Sequence, residues 1–325
     1  MPDRIIHWGI IGLGNIAHKF AEDLLKVPRC ELVAVASRSK AKSKAFAETF
    51  KAKKAYANYE ELLQDPKVNA VYIATPHTYH FEHALLSLKY GKAVLCEKPF
   101  AMHTAQVQTM ITAAKAHNLL LMEALWTNFL PHYKKALEVI HVGAIGKILH
   151  LEADFGFHPS YDGESRVFKK ELGGGSLLDI GIYPIFAALS SLGMPKKIEA
   201  RASFFENGAD SSCDMHFKYN DKVEAKLHST FLANTDTKAV FTGTCGVLEI
   251  HGRFHQPSSF TVTLKDEEPV TYHFKVPYHG YFYEIDHFNQ LLRQNKTESD
   301  VMTFQRSLNL MELLDTVRSK IALQY

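Results

Sequence analysis

The first third of the chain alternates short apolar runs with amphipathic stretches of helical spacing. Buried strands are predicted at residues 5–11, 31–36, 70–74, 93–96 and 119–122. Helices are predicted at residues 17–26, 40–50, 58–64, 80–89 and 104–117. Strands that alternate with helices in this way indicate a parallel sheet covered on both faces. We therefore predict an α/β domain with a doubly wound parallel sheet over residues 1–124.

The pattern changes after Trp126. A helix is predicted at 131–141, a strand at 147–157, and a helical stretch that a run of glycines opens and that ends near Leu192. Between 198 and 276, apolar and polar residues alternate at period two between turn signals such as Asn207-Gly208, which predicts a mostly antiparallel sheet. Helices are predicted at 279–293 and 303–321. Residues 125–325 are thus expected to form a second, α+β domain.

Composition narrows the class of protein. With 46% hydrophobic and 22% charged residues the chain is expected to be globular, and its net charge of +2 provides no basic field for nucleic acid, so small-molecule partners are favoured. Residues 5–13 are too short and too interrupted for a signal peptide, and no run approaches the roughly 20 apolar residues of a membrane helix. Four scattered cysteines without metal-like spacing suit reduced thiols in the cytoplasm.

A glycine motif lies between the first predicted strand and the first helix. The segment Gly12-Leu13-Gly14-Asn15-Ile16-Ala17 has G-x-G-x-x-A spacing. Gly12 permits a tight turn, Gly14 lets the backbone approach a pyrophosphate, and the helix N-terminus offers unpaired N–H groups to phosphates. The alternative is an ordinary strand-to-helix turn. The placement in the first βαβ unit favours a Rossmann dinucleotide-binding domain.

The end of the second strand bears on the choice between NAD and NADP. An acidic residue there would hold a ribose 2′-OH, whereas an arginine accommodates a 2′-phosphate. Here the strand is followed by Ser37 and Arg38, with Lys40 and Lys42 just beyond. Although these residues could be a solvated helix start, we predict NADP, because Arg38 can stack on the adenine and pair with a phosphate.

Two later strand ends carry further candidates for the cofactor cleft. Glu97-Lys98-Pro99 follows the fifth predicted strand, where the lysine can point toward a ligand and the proline can hold a cis bond. Thr75, Pro76 and His80 follow the fourth and are expected to line the nicotinamide ribose. His77, His80 and His83 are spaced by three residues, but successive members drift about 60° around a helix, so no metal site is predicted.

The glycine run Gly173-Gly174-Gly175 precedes the last chemical motif. In a helix, Asp179 and Tyr183 would fall at i and i+4 on one face, where a carboxylate and a phenol could serve proton transfer. The alternative is a capped helix with one buried tyrosine, and Pro184 would kink a helix that it interrupts. Neighbouring residues in the sequence are candidate walls of a substrate pocket: Trp126, Phe155, Phe157 and Arg166.

These motifs together resemble the Gfo/Idh/MocA oxidoreductase family over essentially the whole chain. The segments Glu123–Thr127 and Gly181–Pro184 are similar to its dihydrodiol dehydrogenase and D-xylose dehydrogenase branch. The resemblance implies a Rossmann domain and an open-faced sheet domain, with the cofactor in the cleft between them and dimers formed through the open sheet face. It implies that Lys98 is the catalytic lysine and that Asp179 is its neighbour.

The resemblance also implies that Tyr183 is the acid/base where many relatives place a histidine; His77 stands where relatives often carry asparagine. The expected reaction is hydride transfer between the nicotinamide and a carbinol carbon of a cyclic polyol, such as an aldopyranose or a trans-dihydrodiol. Tyr183 would take the hydroxyl proton, Lys98 would orient that hydroxyl and favour the phenolate, and Asp179 would position the hydroxyl or Lys98.

Two other classes of function stay open at this point. A cofactor-retaining glycosidase or lyase would oxidise its substrate only transiently, and a non-catalytic NADP sensor would turn over nothing. The retained Lys98, Asp179 and Tyr183 argue against the sensor. The sequence leaves open the identity of the substrate, the direction of the reaction, and whether Tyr183 or Lys98 transfers the proton.

Overall fold

The computed structural model describes residues 4–220 and 222–325, which form two compact units. One unit comprises the chain up to Phe129 together with Pro277–Leu308, and the other comprises Leu130–Val276 with Asn309–Tyr325. Residues 277–308 therefore pack with the first unit, although the sequence analysis grouped them with the second domain. Contacts over a long sequence separation explain the difference: the Trp8 indole donates to Asn289 Oδ1 (3.0 Å) and lies 5.1 Å from the Phe288 ring. The proposed functional division at 124/125 stays a prediction, and its residues 1–3 lie outside the described chain.

The first unit is built on a six-stranded parallel sheet of order β3-β2-β1-β4-β5-β6. Its elements are β1 (Ile6–Ile11), α1 (Asn15–Leu24), β2 (Cys30–Ala36), α2 (Lys40–Phe50), β3 (Lys54–Tyr56), α3 (Tyr59–Gln64), β4 (Ala70–Ile73), α4 (His80–Lys89), β5 (Ala93–Glu97), α5 (Thr104–His117) and β6 (Leu121–Ala124). This strand order is that of a Rossmann fold. The predicted doubly wound parallel sheet is confirmed.

Two strands of this sheet differ from the sequence prediction by more than one residue. The last strand begins at Leu121 instead of residue 119, because Asn118 ends α5 in the left-handed conformation (φ 52°) and the Leu119 N–H still bonds to Ala114 in the helix. The short edge strand β3 was not predicted, because Lys54 and its neighbours are polar or exposed and carry no apolar run.

The second unit contains an eight-stranded sheet of order β14-β13-β12-β11-β7-β10-β9-β8. Its elements are α6 (Pro131–His141), β7 (Ile148–Gly156), α7 (Ile182–Leu192), β8 (Lys197–Phe204), β9 (Asp210–Asn220), β10 (Val223–Thr230), β11 (Ala239–Gly243), β12 (Gly246–Ile250), β13 (Phe260–Leu264) and β14 (Val270–Tyr272). Only the pairing of β7 with β10 is parallel among the described pairs of this sheet. The predicted mostly antiparallel sheet is confirmed.

Two helices follow the last strand of the second sheet along the chain. The C-terminal helices are α8 (Phe282–Arg293) and α9 (Phe304–Lys320).

The stretch Lys170–Leu192 is long and apolar enough to cross a membrane, which was not expected of any run from the sequence, but 94% of its most apolar window is buried inside the protein. Its apolar character is that of a core segment, since α7 packs on β7 and β10.

Candidate active site

The glycine loop (Gly12–Asn15) connects β1 to α1 in the first unit. Gly12 has φ 85°, and a Cβ at this position would lie 2.6 Å from the carbonyl oxygen of Ala74, so no other residue fits without strain. Gly14 precedes α1 in extended conformation, and a Cβ there would meet no atom within 4 Å. The loop is therefore closed toward β4 and open at Gly14, beside the N-terminus of α1.

Arg38 lies beyond the end of β2 with its side chain exposed. Its guanidinium carbon is 5.9 Å from the centroid of the Tyr79 ring, and that ring stacks on His83 (5.7 Å, 19°). Burial, with a smaller contribution from the Arg38 charge, lowers the pKa of His83 to about 4. His83 is therefore a neutral ring at physiological pH, and it contacts Thr75 Oγ1 through Nδ1 (3.0 Å).

His80 joins the ends of β4 and β5. Its Nε2 lies 2.8 Å from the carbonyl oxygen of Thr75, and its Nδ1 lies 2.8 Å from that of Pro99. The ring is fully buried, and the Lys98–Pro99 peptide bond beside it is cis. Both ring nitrogens therefore face backbone carbonyls, which assigns His80 a supporting role for the two loops. Within residues 4–220 and 222–325, no three His, Cys, Asp or Glu side chains are grouped to hold a metal ion.

Lys98 follows directly on β5, and the preceding Glu97 is anchored in the unit. The Tyr72 hydroxyl donates to Glu97 Oε1, and Glu97 Oε2 accepts from the Lys98 N–H (3.2 Å). On the neighbouring strand β6, Glu123 Oε1 accepts from the Phe100 N–H (3.1 Å), and burial raises the pKa of this carboxyl to about 7. Acidic side chains thus border the strand end that carries Lys98.

Trp126 lies in the first unit, after β6. Its ring stacks on Tyr281 (4.5 Å, 17°), which precedes α8. The sequence placed Trp126 among the pocket walls but gave no sign of Tyr281, because the two residues meet only through the packing of 277–308 on this unit.

The π-turn segment (Gly173–Leu192) of the second unit carries the other candidate residues. Residues Leu177–Gly181 form a π-helical turn, which continues into α7 at Ile182. Asp179 lies in that turn, where Arg166 Nη1 and Nη2 both donate to its Oδ1 at 3.2 Å. The helix is not broken at Pro184, which lies three residues after the π-helical turn and within α7. Widened turns of this kind are frequent at functional sites.

Tyr183 occupies the first turn of α7 and is only 7% exposed. Its ring lies 5.7 Å from Phe155 and 4.8 Å from His255, and the latter two rings stack on each other (4.2 Å, 26°). Phe157 lies 6.2 Å from Phe155 and extends this aromatic cluster. The sequence predicted Phe155, Phe157 and Tyr183, but His255 was missed, because it reaches them from a loop after β12.

Each unit therefore brings together part of the predicted set. The first holds the glycine loop, Arg38, the Thr75–His80 turn, Lys98 and Trp126; the second holds Arg166, Asp179, Tyr183 and the aromatic cluster. A buried phenol and an ion-paired carboxylate on one helical segment can exchange a proton with a hydroxyl group and orient it. The open helix N-terminus can hold phosphate.

Comparisons with known proteins agree in both units. Residues 6–125 match the oxidoreductase family with an NAD-binding Rossmann fold, GFO_IDH_MocA, and residues 133–249 match the GFO/IDH/MocA C-terminal domain. The chain is 34% identical to trans-1,2-dihydrobenzene-1,2-diol dehydrogenase of Xenopus tropicalis, over 98% of each chain. It is 33% identical to scyllo-inositol 2-dehydrogenase (NADP(+)) of Bacillus subtilis, over 99% of this chain and 98% of that one.

A solved structure is similar at the level of the backbone. KijD10, a 3-ketoreductase from Actinomadura kijaniata in complex with NADP and TDP-benzene, matches with a TM-score of 0.87 and 28% identity, covering 98% of each chain.

Proposed function

The chain belongs to the GFO/IDH/MocA oxidoreductase family, and from that premise we propose that it is an NADP-dependent dehydrogenase of a cyclic polyol. The substrate class is an aldopyranose, an inositol or a trans-dihydrodiol, and the reaction is hydride transfer at a carbinol carbon. The observation that carries the proposal is the placement of Asp179 and Tyr183 in consecutive turns of one buried segment. A full-length similarity to polyol dehydrogenases supports it.

The residues of the first unit fit NADP. The open position at Gly14 leaves room for a pyrophosphate beside the N-terminus of α1. Leu13 and Asn15 belong to the glycine loop, and Ile16 follows in the first turn of α1. Arg38 is exposed at the end of β2, and no carboxylate stands between Ser37 and Lys40 to repel a 2′-phosphate. Bound NADP supplies the nicotinamide that accepts or donates the hydride.

The remaining cofactor contacts are assigned to the ends of β4 and β5. Thr75 and Pro76 would face the nicotinamide ribose, and His80 holds their backbone in place. Glu97 anchors the start of the Lys98 loop through Tyr72. Lys98 would then direct its ammonium group at the substrate hydroxyl, where a cation favours the alkoxide character that develops as the hydride leaves.

Proton transfer is assigned to Tyr183. As the phenolate, Tyr183 takes the hydroxyl proton in the oxidation direction, and the resulting phenol returns that proton in reduction. Asp179, held by Arg166, orients the substrate through a hydrogen bond. Phe155 and Phe157, with His255, provide an apolar surface for the ring face of the polyol, and Trp126 adds a second aromatic surface.

The test is a panel of D-xylose, D-glucose, scyllo-inositol and a trans-dihydrodiol with NADP⁺ and, separately, NAD⁺, followed by the absorbance of the reduced nicotinamide. The proposal predicts net NADPH formation with at least one polyol and a preference for NADP⁺. A chain that consumes a glycoside without net NADPH formation would be a cofactor-retaining hydrolase or lyase instead.

We further propose a homodimer through the face of the eight-stranded sheet that carries ion pairs such as Arg201–Asp214 (3.0 Å) and Lys238–Glu249 (3.2 Å). Light scattering on a sizing column checks this, and a monomer at micromolar concentration would rule it out.

A cytoplasmic location is proposed from the four cysteines, which are free thiols.

A further inference from the structure

The π-helical turn Leu177–Gly181 needs support from outside its own backbone. A π-turn is a rare departure from the α-helix, and the first N–H groups of a helical segment have no acceptor within it. The turn also carries Asp179 and leads directly into Tyr183. Whatever holds the turn therefore also sets the positions of both side chains.

Asp210 supplies the missing acceptor. It is the first residue of β9 and is fully buried. Its Oδ2 accepts from the Ser176 hydroxyl and from the Leu177 N–H, each at 2.7 Å. Charge-assisted bonds of this length are the strong ones. A carboxylate from a strand thus caps the π-turn in the way that an N-cap side chain usually does locally.

The backbone around the turn fits closely against this carboxylate and its neighbours. Gly175 has φ 119°, and a Cβ there would lie 2.2 Å from Asp210 Oδ1. At the other end of the turn, a Cβ on Gly181 would lie 2.9 Å from Ser229 Oγ. Ser229 Oγ is in turn 3.1 Å from Ser176 Oγ, which already donates to Asp210. One polar cluster (Ser176, Asp210 and Ser229) therefore contacts both ends of the π-turn.

The β8–β9 hairpin delivers Asp210 to this place. Asn207 Oδ1 accepts from the Ala209 N–H (3.1 Å), and Asn207 Nδ2 donates to the Phe168 carbonyl (2.7 Å). The hairpin turn is thus tied to the loop that precedes the glycine run. Asp210 is therefore held by the hairpin contacts of Asn207 on one side and by its bonds to Ser176 and Leu177 on the other, so its carboxylate is a rigid support.

We propose that Asp210 is a positioning residue for Asp179 and Tyr183: its carboxylate holds the π-turn in the conformation that the reaction requires. The inference rests on the proposed function in assigning work to these two residues. It adds a fully buried group that the sequence motifs do not contain.

The Asp210 carboxyl has a pKa only slightly below neutral pH. Burial raises the pKa of Asp210 to about 6, although the bonds from Ser176 and Leu177 oppose the rise. The titratable groups that face it are the Cys213 thiol and the Tyr325 phenol. Burial raises the pKa of both, and the Asp210 charge adds to the rise. Both neighbours are therefore neutral between pH 5 and 8, and of these three groups only Asp210 changes its charge in this window.

The first test is Asp210→Asn, which keeps the volume and removes the charge. Amide hydrogen exchange of the peptide covering residues 176–183 should speed up by about tenfold or more, and kcat for the polyol that is active in the panel should fall by about 10- to 100-fold. The dissociation constant for NADP⁺ should not change. Asp23→Asn is the matched control, since Asp23 is also buried and accepts backbone N–H groups, but at α8 in the first unit; exchange at 176–183 should be unaffected.

A second measurement uses the wild-type protein, so that a variant that fails to fold does not end the test. Opening of the turn breaks the bonds from Ser176 and Leu177, which lower the pKa of Asp210, while Asp210 itself stays buried on β9, so the open turn binds a proton more tightly than the closed one. After correction for intrinsic exchange, residues 176–183 should therefore be less protected at pH 5 than at pH 7.5. Unchanged exchange at 176–183 in Asp210→Asn, equal protection at the two pH values, or a wild-type kcat in the variant would each overturn the proposal. If no polyol is turned over by the wild type, the proposed function fails, whereas the exchange measurements still decide the role of Asp210.

Discussion

The glycine loop and the π-turn segment obtain their shapes from different kinds of contact. In the glycine loop, the turn follows from Gly12 at φ 85° and from the start of α1 within the next few residues. In the π-turn segment, the conformation depends on Asp210 and Ser229, which lie 34 and 53 residues away from Ser176 in the chain. The groups proposed to bind phosphate are thus placed by local backbone, and the groups proposed to transfer a proton are placed by tertiary contacts.

The comparison implies different responses to substitution. Substitutions in the glycine loop should weaken cofactor binding and local folding, whereas substitutions in the π-turn segment should lower turnover with the cofactor still bound. The following variants test that difference in order of expected effect.

Tyr183→Phe should give the largest loss. A general base contributes about 10² to 10⁴ in rate, and the variant removes one oxygen while keeping the ring against Phe155 and His255. In the oxidation direction, wild-type kcat should rise with pH as the phenol loses its proton, and the variant should lack that rise. Steady-state rates across pH check this. Tyr219→Phe is the control, since Tyr219 is a buried tyrosine of β9. Normal turnover in Tyr183→Phe would move the base to Lys98.

Lys98→Met should lower kcat by about 10²-fold or more, because a cation at the developing alkoxide is lost. NADP⁺ binding, measured by titration calorimetry, should be nearly intact. The exposed Lys89 provides the control Lys89→Met. Turnover at the wild-type rate would remove Lys98 from the mechanism.

A pair of glycine substitutions separates folding from binding within one loop. Gly12→Ala should lower the free energy of unfolding by about 3 kcal/mol, because of the left-handed backbone and the contact with Ala74. Gly14→Ala should leave that free energy unchanged, since no atom lies within 4 Å of the added carbon, yet it should weaken NADP⁺ by about tenfold or more, or roughly 1.4 kcal/mol. Urea unfolding and cofactor titration measure the two quantities. Equal effects of both variants on unfolding would contradict the description of this loop.

Arg38→Ala should weaken NADP⁺ relative to NAD⁺ by roughly 1.5 to 3 kcal/mol, the range for a charged hydrogen bond. The ratio of kcat/KM for the two cofactors measures it, with the exposed Lys44→Ala as control. A wild-type preference for NAD⁺ would refute the assignment.

Glu123→Gln tests whether the buried glutamate on β6, next to the strand that precedes Lys98, keeps its proton in the folded protein. Because the pKa of Glu123 is raised to about 7 from about 4.3 in the unfolded chain, the folded state retains a proton that the unfolded chain has released. Wild-type stability should therefore fall as pH rises through this window. The variant should gain up to about 3 kcal/mol relative to wild type between pH 5 and pH 8, as measured by urea unfolding. Glu48→Gln, at an exposed glutamate, should gain nothing; an equal difference at both pH values would be inconsistent with a buried acid.

The same contrast explains what could be predicted from the sequence. The Rossmann sheet, the glycine loop and the lysine after β5 follow from periodicity and from motifs within a few residues, and Arg38 follows from its position after β2. The partners Tyr281, His255 and Asp210 could not be predicted, because each reaches its site from a distant segment without a local motif. Residues 277–308 were assigned to the second domain for the same reason: nothing in α8 itself indicates that Trp8 is its partner.

The proposed function depends on one step, hydride transfer from a polyol carbon to the nicotinamide of NADP. The most direct measurement is isotope transfer: scyllo-inositol deuterated at its carbinol carbons, or the polyol that is active in the panel labelled in the same way, is incubated with the protein and NADP⁺, and the reduced cofactor is analysed by NMR. We expect one deuterium at C4 of the nicotinamide for each NADPH formed, and no transfer with Tyr183→Phe beyond its residual rate. Reduced cofactor without deuterium, or polyol consumed without reduced cofactor, would contradict it.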